Sequence, residues 1–131
     1  MDPKPRARFL SLFVPDLDDA VARYAAMLGV EPTREPGAAP SPHPYAARGP
    51  VTFDVGGTEL ALYQCDMRTT HPGDVGIGLV VEGPPDALAA RAAERGGRVF
   101  FGPGPLPGDG RRGAFLMLPD RHFFELLGPR G

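Results

Sequence analysis

Residues 113–127, GAFLMLPDRHFFELL, read as two apolar strands folded back on each other through a turn at Pro119-Asp120. Proline presets φ and aspartate can bond its own backbone, so the pair is turn chemistry. In the second arm the side chains alternate, with Phe123, Glu125 and Leu127 on one face and Phe124 and Leu126 on the other. An acid on an apolar face needs a reason. Glu125 is either a solvated residue on an exposed edge or a polar anchor in a site.

Upstream of this hairpin, GPGPLPGDG at 102–110 reads as a Pro/Gly loop and Arg98 to Phe101 as a strand. Before them a helix opens at Pro84-Pro85-Asp86, carries Leu88, Ala89, Ala92 and Ala93, and stops at Gly96-Gly97. Val75 to Val81 precedes it as a strand in which Ile77, Leu79 and Val81 alternate with Gly76, Gly78 and Val80. The first half runs in the same order. After a loose arm over residues 1–7, Arg8 to Val14 alternates as a strand, with Phe9, Ser11 and Phe13 opposite Leu10, Leu12 and Val14. A helix follows, with Asp16 as N-cap, Asp18 and Asp19 in its first turn, and Gly29 as a left-handed terminator. Glu31 to Pro50 reads as a long loop with at most short strands near Val30 and Tyr45. Val51 to Val55 and Thr58 to Gln64 then form a hairpin around Gly56-Gly57. Phe9 to Gly76 and Gly29 to Gly96 share an offset of 67 residues, which argues for a duplicated unit. Each half has one helix to cover one sheet face and leaves the other face in need of a partner or a cavity.

A chain of 131 residues suits one domain with a respectable core. Fourteen Lys and Arg against sixteen Asp and Glu, with no block of like charge, argue against a nucleic-acid partner. A single cysteine, Cys65, excludes an intrachain disulfide and fits a reducing, cytoplasmic setting. MDPKPRARFLSLFVPD has a short apolar run but no cleavage-site pattern, so it reads as neither signal peptide nor membrane span.

The segments FLSLFVPDLDDAVARYAAMLGV, FDVGGTELALYQ, IGLVVEGPPDALAARAAERGGRVF and GRRGAFLMLPDRHFFELL, in this order, resemble the vicinal oxygen chelate superfamily over about residues 8–127. That group contains glyoxalase I, extradiol dioxygenases, fosfomycin-resistance enzymes and bleomycin-resistance proteins. The resemblance implies an α+β domain of two tandem βαβββ modules, about 8–65 and 74–127. Their mixed sheet would curl around a cavity with helices on the outer face, usually in a homodimer. In metal-dependent members, ligands sit at the first and last strands of each module. Carried over, those positions are Phe9, Ala61, Gly76 and Glu125, so one of four can bind a metal. A divalent site wants three or more protein ligands, so neither a metal nor another cofactor is expected. The resemblance therefore points to the metal-free binders, whose loop-and-hairpin stretch GPGPLPGDGRRGAFLMLPD is similar to.

If those positions face inward, so do their alternate neighbours. The expected ligand-binding set is Phe9, Ser11, Phe13, Glu59, Tyr63, Gly76, Gly78, Phe123 and Glu125. The rings offer flat faces for stacking, the glycines leave room, and Glu125 with Glu59 can meet a cationic or hydrogen-bond-donating group. The alternative is that Phe9, Phe13 and Phe123 simply fill the core. His122 reads as a surface turn residue, His43 and His71 as solvated loop residues, and Arg111-Arg112 as a solvated basic pair. Three functions remain in order. The first is a non-enzymatic protein that sequesters an aromatic natural product or antibiotic in a dimer cavity. The second is a metal-free isomerase, cyclase or lyase using Glu125 with Tyr63 or His122. The third is a metal-dependent lyase or dioxygenase. The Ala-, Arg- and Pro-rich composition fits a high-GC, actinobacterial source, where self-resistance proteins occur.

Overall fold

Two amphipathic helices, each with its apolar side on one face of a small mixed sheet, define the architecture. The computed structural model describes residues 5–33, 43–107, 110–119 and 122–129. Among them are seven strands and two helices in the order β1 (Pro5–Val14), α1 (Leu17–Leu28), β2 (Ala46–Val55), β3 (Thr58–Cys65), β4 (Val75–Val81), α2 (Asp86–Glu94), β5 (Arg98–Pro105), β6 (Arg112–Met117) and β7 (Phe123–Leu127). The fold is α+β, as the alternation and the resemblance predict. The chain falls into two compact units: Phe9–Val75, and the residues from Gly76 onward together with those up to Arg8.

In the first unit the strands lie in the order β2-β3-β1. β2 and β3 are an antiparallel hairpin turned at Gly56 and Gly57, whose φ of 61° and 94° are the left-handed pair that such a tight turn requires. β1 runs parallel to β3, with Phe9 beside Glu59, Ser11 beside Ala61 and Phe13 beside Tyr63. Helix α1 starts where Asp16 Oδ1 accepts the Asp19 N–H at 3.1 Å and ends where Gly29, at φ 71°, donates its N–H to Ala25 O at 2.9 Å. Its inner face places Leu17 and Ala20 against Val14, Val51, Phe53 and Leu62. Val30 to Thr33, where at most a short strand is expected, is not a strand, although Thr33 N–H donates to Thr52 O at 2.8 Å.

The second unit orders its strands β4-β7-β6-β5. β4 is parallel to β7, with Gly76 beside Phe123 and Gly78 beside Glu125. β6 and β7 form the antiparallel hairpin expected from 113–127, with Phe115 opposite Glu125; Asp120 and Arg121 of its turn lie outside the described residues. Ala89 of α2 packs on Ala114, Leu116 and Leu126, with Leu79, Leu88 and Phe124 around them. Three expected boundaries move. β1 begins at Pro5, so Pro5 to Ala7 is strand and not arm. β2 begins at Ala46, so the short strand allowed near Tyr45 is continuous with the one expected from Val51, and β5 runs on through Gly102 to Pro105.

Candidate functional site

Strand parity fixes which side chains face away from the helices. In the first unit these are Phe9, Ser11 and Phe13 on β1 and Glu59, Ala61 and Tyr63 on β3, since laterally paired residues of a sheet share a face. The predicted members of this unit therefore do lie together on one face. They do not share one environment. Ser11 is fully buried, Phe13 is 2% and Tyr63 8% exposed, Phe9 is half-buried, and Glu59 is exposed.

Phe13 and Tyr63 stack at 5.7 Å between ring centroids, with 21° between their planes. Across both lies the ring of His43, 5.2 Å from Phe13 and 4.9 Å from Tyr63, edge-on to each. His43 is 4% exposed, which corrects its reading as a solvated loop residue. Its Nδ1 accepts the Tyr45 N–H at 3.1 Å, so that nitrogen carries no proton. Burial raises the Tyr45 phenol above its ordinary pKa. Nothing in the residue pattern marks His43, because it stands outside any periodic segment and among prolines. Ser11 Oγ has no hydrogen-bond partner among the described residues. Its lateral neighbour Ala61 has no group to offer one.

In the second unit the corresponding face carries Gly76, Gly78, Phe123 and Glu125, all four predicted, together with Phe101 and Phe115, which the sequence reading missed. Their signal was register: Phe115 sits directly opposite Glu125, and Phe101 opposite Phe115. The result is a row Phe101, Phe115, Glu125, Gly78 across four strands. Phe115 is 5.6 Å from Phe101 and 6.1 Å from Phe123, centroid to centroid. Glu125 is 2% exposed, so it is no solvated edge residue. A Cβ added at Gly76 would fall on Glu125 Oε1, 2.9 Å from Glu125 Cδ and 3.2 Å from Phe123 Cδ1. The carboxylate thus occupies the space that a side chain at position 76 would fill.

The arginine pair is not simply solvated. Arg111 Nε donates to Gly128 O at 2.6 Å, and Arg112 forks onto both carboxylate oxygens of Asp86 at 2.8 and 2.7 Å. His122 and His71 are exposed, as expected. Cys65 is buried, its Sγ 3.4 Å from Met67 Sδ.

The donor set does not fit the metal of the chelate enzymes. Phe9, Ala61 and Gly76 offer no ligand atom, and the room for one at Gly76 is taken. Among the described residues no three His, Cys, Asp or Glu stand close enough to hold an ion.

A family model described as the Glyoxalase/Bleomycin resistance protein/Dioxygenase superfamily matches residues 6–126. Among solved structures, methylmalonyl-CoA epimerase from Mycobacterium tuberculosis superposes with a TM-score of 0.68 at 20% identity, covering 95% of this chain and 88% of its own. A Streptomyces coelicolor methylmalonyl-CoA epimerase gives 0.65 at 22% identity over 96% and 98% of the two chains. The Mn(II)-bound glyoxalase from Novosphingobium aromaticivorans gives 0.64 at 23% identity, covering all of this chain and 41% of that longer one. At these identities the likeness is one of fold. A search of curated proteins found no match.

Proposed function

This chain belongs to the Glyoxalase/Bleomycin resistance protein/Dioxygenase superfamily, and from that premise we propose that it binds a small aromatic molecule without a metal and sequesters it unchanged. The observation that carries this reading is the Glu125 carboxylate lying in the space above Gly76, where the resemblance puts a metal ligand. A buried acid opposite Phe115 and on the same face as Phe123, with Phe101 next in the row, suits a planar ligand with a cationic or hydrogen-bond-donating group. Resistance to an antibiotic is the biological role that such sequestration would serve, in the cytoplasm and as a homodimer.

Thermal-shift screening against aromatic natural products, followed by mass spectrometry of the recovered ligand, tests the reading. The ligand should raise the melting temperature and come back unaltered. Replacing Glu125 by Gln should weaken a cationic ligand about ten- to a hundredfold, the range for a hydrogen bond to a charged acceptor. Elemental analysis should find no stoichiometric divalent metal, and one equivalent of Mn, Ni, Fe or Zn would overturn the proposal. A second reading, a metal-free isomerase, cyclase or lyase, is favoured by the burial of Glu125 as a potential acid or base. Conversion of the ligand during recovery would select it.

A further inference from the structure

On the face of the first unit opposite α1, we infer that Ser11 Oγ and the rings of Phe13 and Tyr63 form a subsite for a planar ring bearing a neutral hydrogen-bonding group. The imidazole of His43 packs on those two rings, and the ligand's ring would take its place. The inference rests on the ligand-binding reading above and adds the class of group recognised.

A hydroxyl fully removed from water without a partner is unfavourable, and a strand has ready ways to avoid it. Ser11 sits between Phe9 and Phe13 along β1 and beside Ala61 on β3, and among the described residues its Oγ has no hydrogen-bond partner. An alanine would pack there at lower cost. The hydroxyl is thus explained by a group that arrives from outside the chain. Two residues further along β1, about 7 Å away by strand rise, stands the near-parallel pair Phe13 and Tyr63. That pair has the spacing and tilt of an aromatic wall. Against this pair lies His43, itself a flat, five-membered heteroaromatic ring, edge-on to both. His43 belongs to the turn before β2 and not to a strand. It is tied to its own neighbourhood through the Tyr45 N–H. A ligand ring that takes its place gains the same edge and face contacts, and a hydroxyl, carbonyl or ring nitrogen on it can reach toward Ser11. Serine both donates and accepts, so either polarity suits it.

The matched probes 2-naphthol and naphthalene, titrated by fluorescence, test this directly. The wild-type chain should bind 2-naphthol about five- to tenfold more tightly than naphthalene, the worth of one neutral hydrogen bond. S11A should abolish that preference and leave naphthalene affinity unchanged, with a melting temperature no lower than wild type because an unbonded hydroxyl has been removed. H43A should tighten both probes, by removing the competing ring. A preference retained in S11A, weaker binding of both probes by H43A, or no binding of either probe by wild type and H43A would overturn the subsite. Failure here leaves Glu125 and the recovery of unchanged ligand untouched. Conversion of a ligand would sink the sequestration reading without altering the naphthol preference.

Discussion

In the first unit the parallel pair β1 and β3 sets Phe9 beside Glu59 and Ser11 beside Ala61. In the second unit the parallel pair β4 and β7 sets Gly76 beside Phe123 and Gly78 beside Glu125. The parallel pair recurs, although the first unit has three described strands and the second four, and across it bulk and charge have changed places. The first unit exposes its acid at Glu59 and buries two small side chains, a hydroxyl among them. The second keeps its strand-β4 positions as glycine and buries the acid of β7 in the room so made. A repeated sheet therefore offers two chemically different faces, one neutral and closed by rings, the other carrying a charge-bearing group. Within the shared parallel pair, the difference lies in the side chains at the paired positions.

The largest expected effect asks whether both faces are packed alike. Phe13 and Phe115 are each 2% exposed, so Phe13→Ala and Phe115→Ala should each cost about 3–5 kcal/mol in urea denaturation. A much smaller loss at Phe115 would mean that the second face is less well filled than the first. Next comes Gly76→Ala. In a strand at ordinary φ this change usually stabilises slightly, through the unfolded chain. Here the new methyl meets the Glu125 carboxylate, and a loss of about 1–3 kcal/mol is expected from overpacking. In an Glu125→Ala background the loss should vanish. If the two changes prove additive, the carboxylate does not occupy the space above Gly76.

The parts of this comparison legible in the sequence were those carried by alternation. Phe9, Ser11 and Phe13, and again Phe123 and Glu125, follow the two-residue period and land on the predicted faces. What could not be read depended on neighbours in space. Phe101 and Phe115 join Glu125 only through register between strands. His43 obeys no period at all, and a buried imidazole looks the same in sequence as a solvated one. Proline misled the boundaries for a definable reason. Pro50 lies in β2 and Pro103 and Pro105 in β5, the last strands at one side of their units' sheets. An outward-facing edge position needs no N–H for the ladder, so a proline there does not end the strand.

Carboxylates sharpen the contrast further. Asp66, at the end of β3, accepts the N–H groups of Arg68, Thr69 and Thr70 at 2.8, 2.8 and 3.0 Å and the Thr69 hydroxyl at 2.6 Å. Burial alone would raise its pKa. The hydrogen bonds from Thr69, Thr70 and Arg68 together outweigh that and hold it well below the usual carboxylate range. Because the folded-state pKa is depressed, the ionised loop stabilises the fold above the unfolded value, about 3.9, and that stabilisation is lost as pH falls below it. Asp66→Ala should cost about 1 kcal/mol at pH 7, after allowing for partial exposure. The cost should shrink progressively below about pH 4. A pH-independent difference between wild type and variant would show that the loop is held by shape and not by charge.

The smallest effect separates the two helix starts. α1 is capped by its own side chain, Asp16, whereas α2 starts at Pro85 with no side-chain cap. Instead, the first residue of α2, Asp86, is gripped by the Arg112 fork from β6. A cap is a short-range bond to a backbone N–H and acts within one turn, so Asp16→Ala should lower stability by about 1 kcal/mol in low and high salt alike. The fork is an ion pair between two half-exposed side chains, and its contribution is open to screening. Arg112→Lys keeps the charge but loses the two-pronged geometry, so it should lower the melting temperature slightly in dilute buffer and not at all in concentrated salt. Equal loss in both buffers would make the fork a packing element that orients α2 on its sheet, and the second unit would then depend on β6 for a helix start that the first unit encodes within α1 itself.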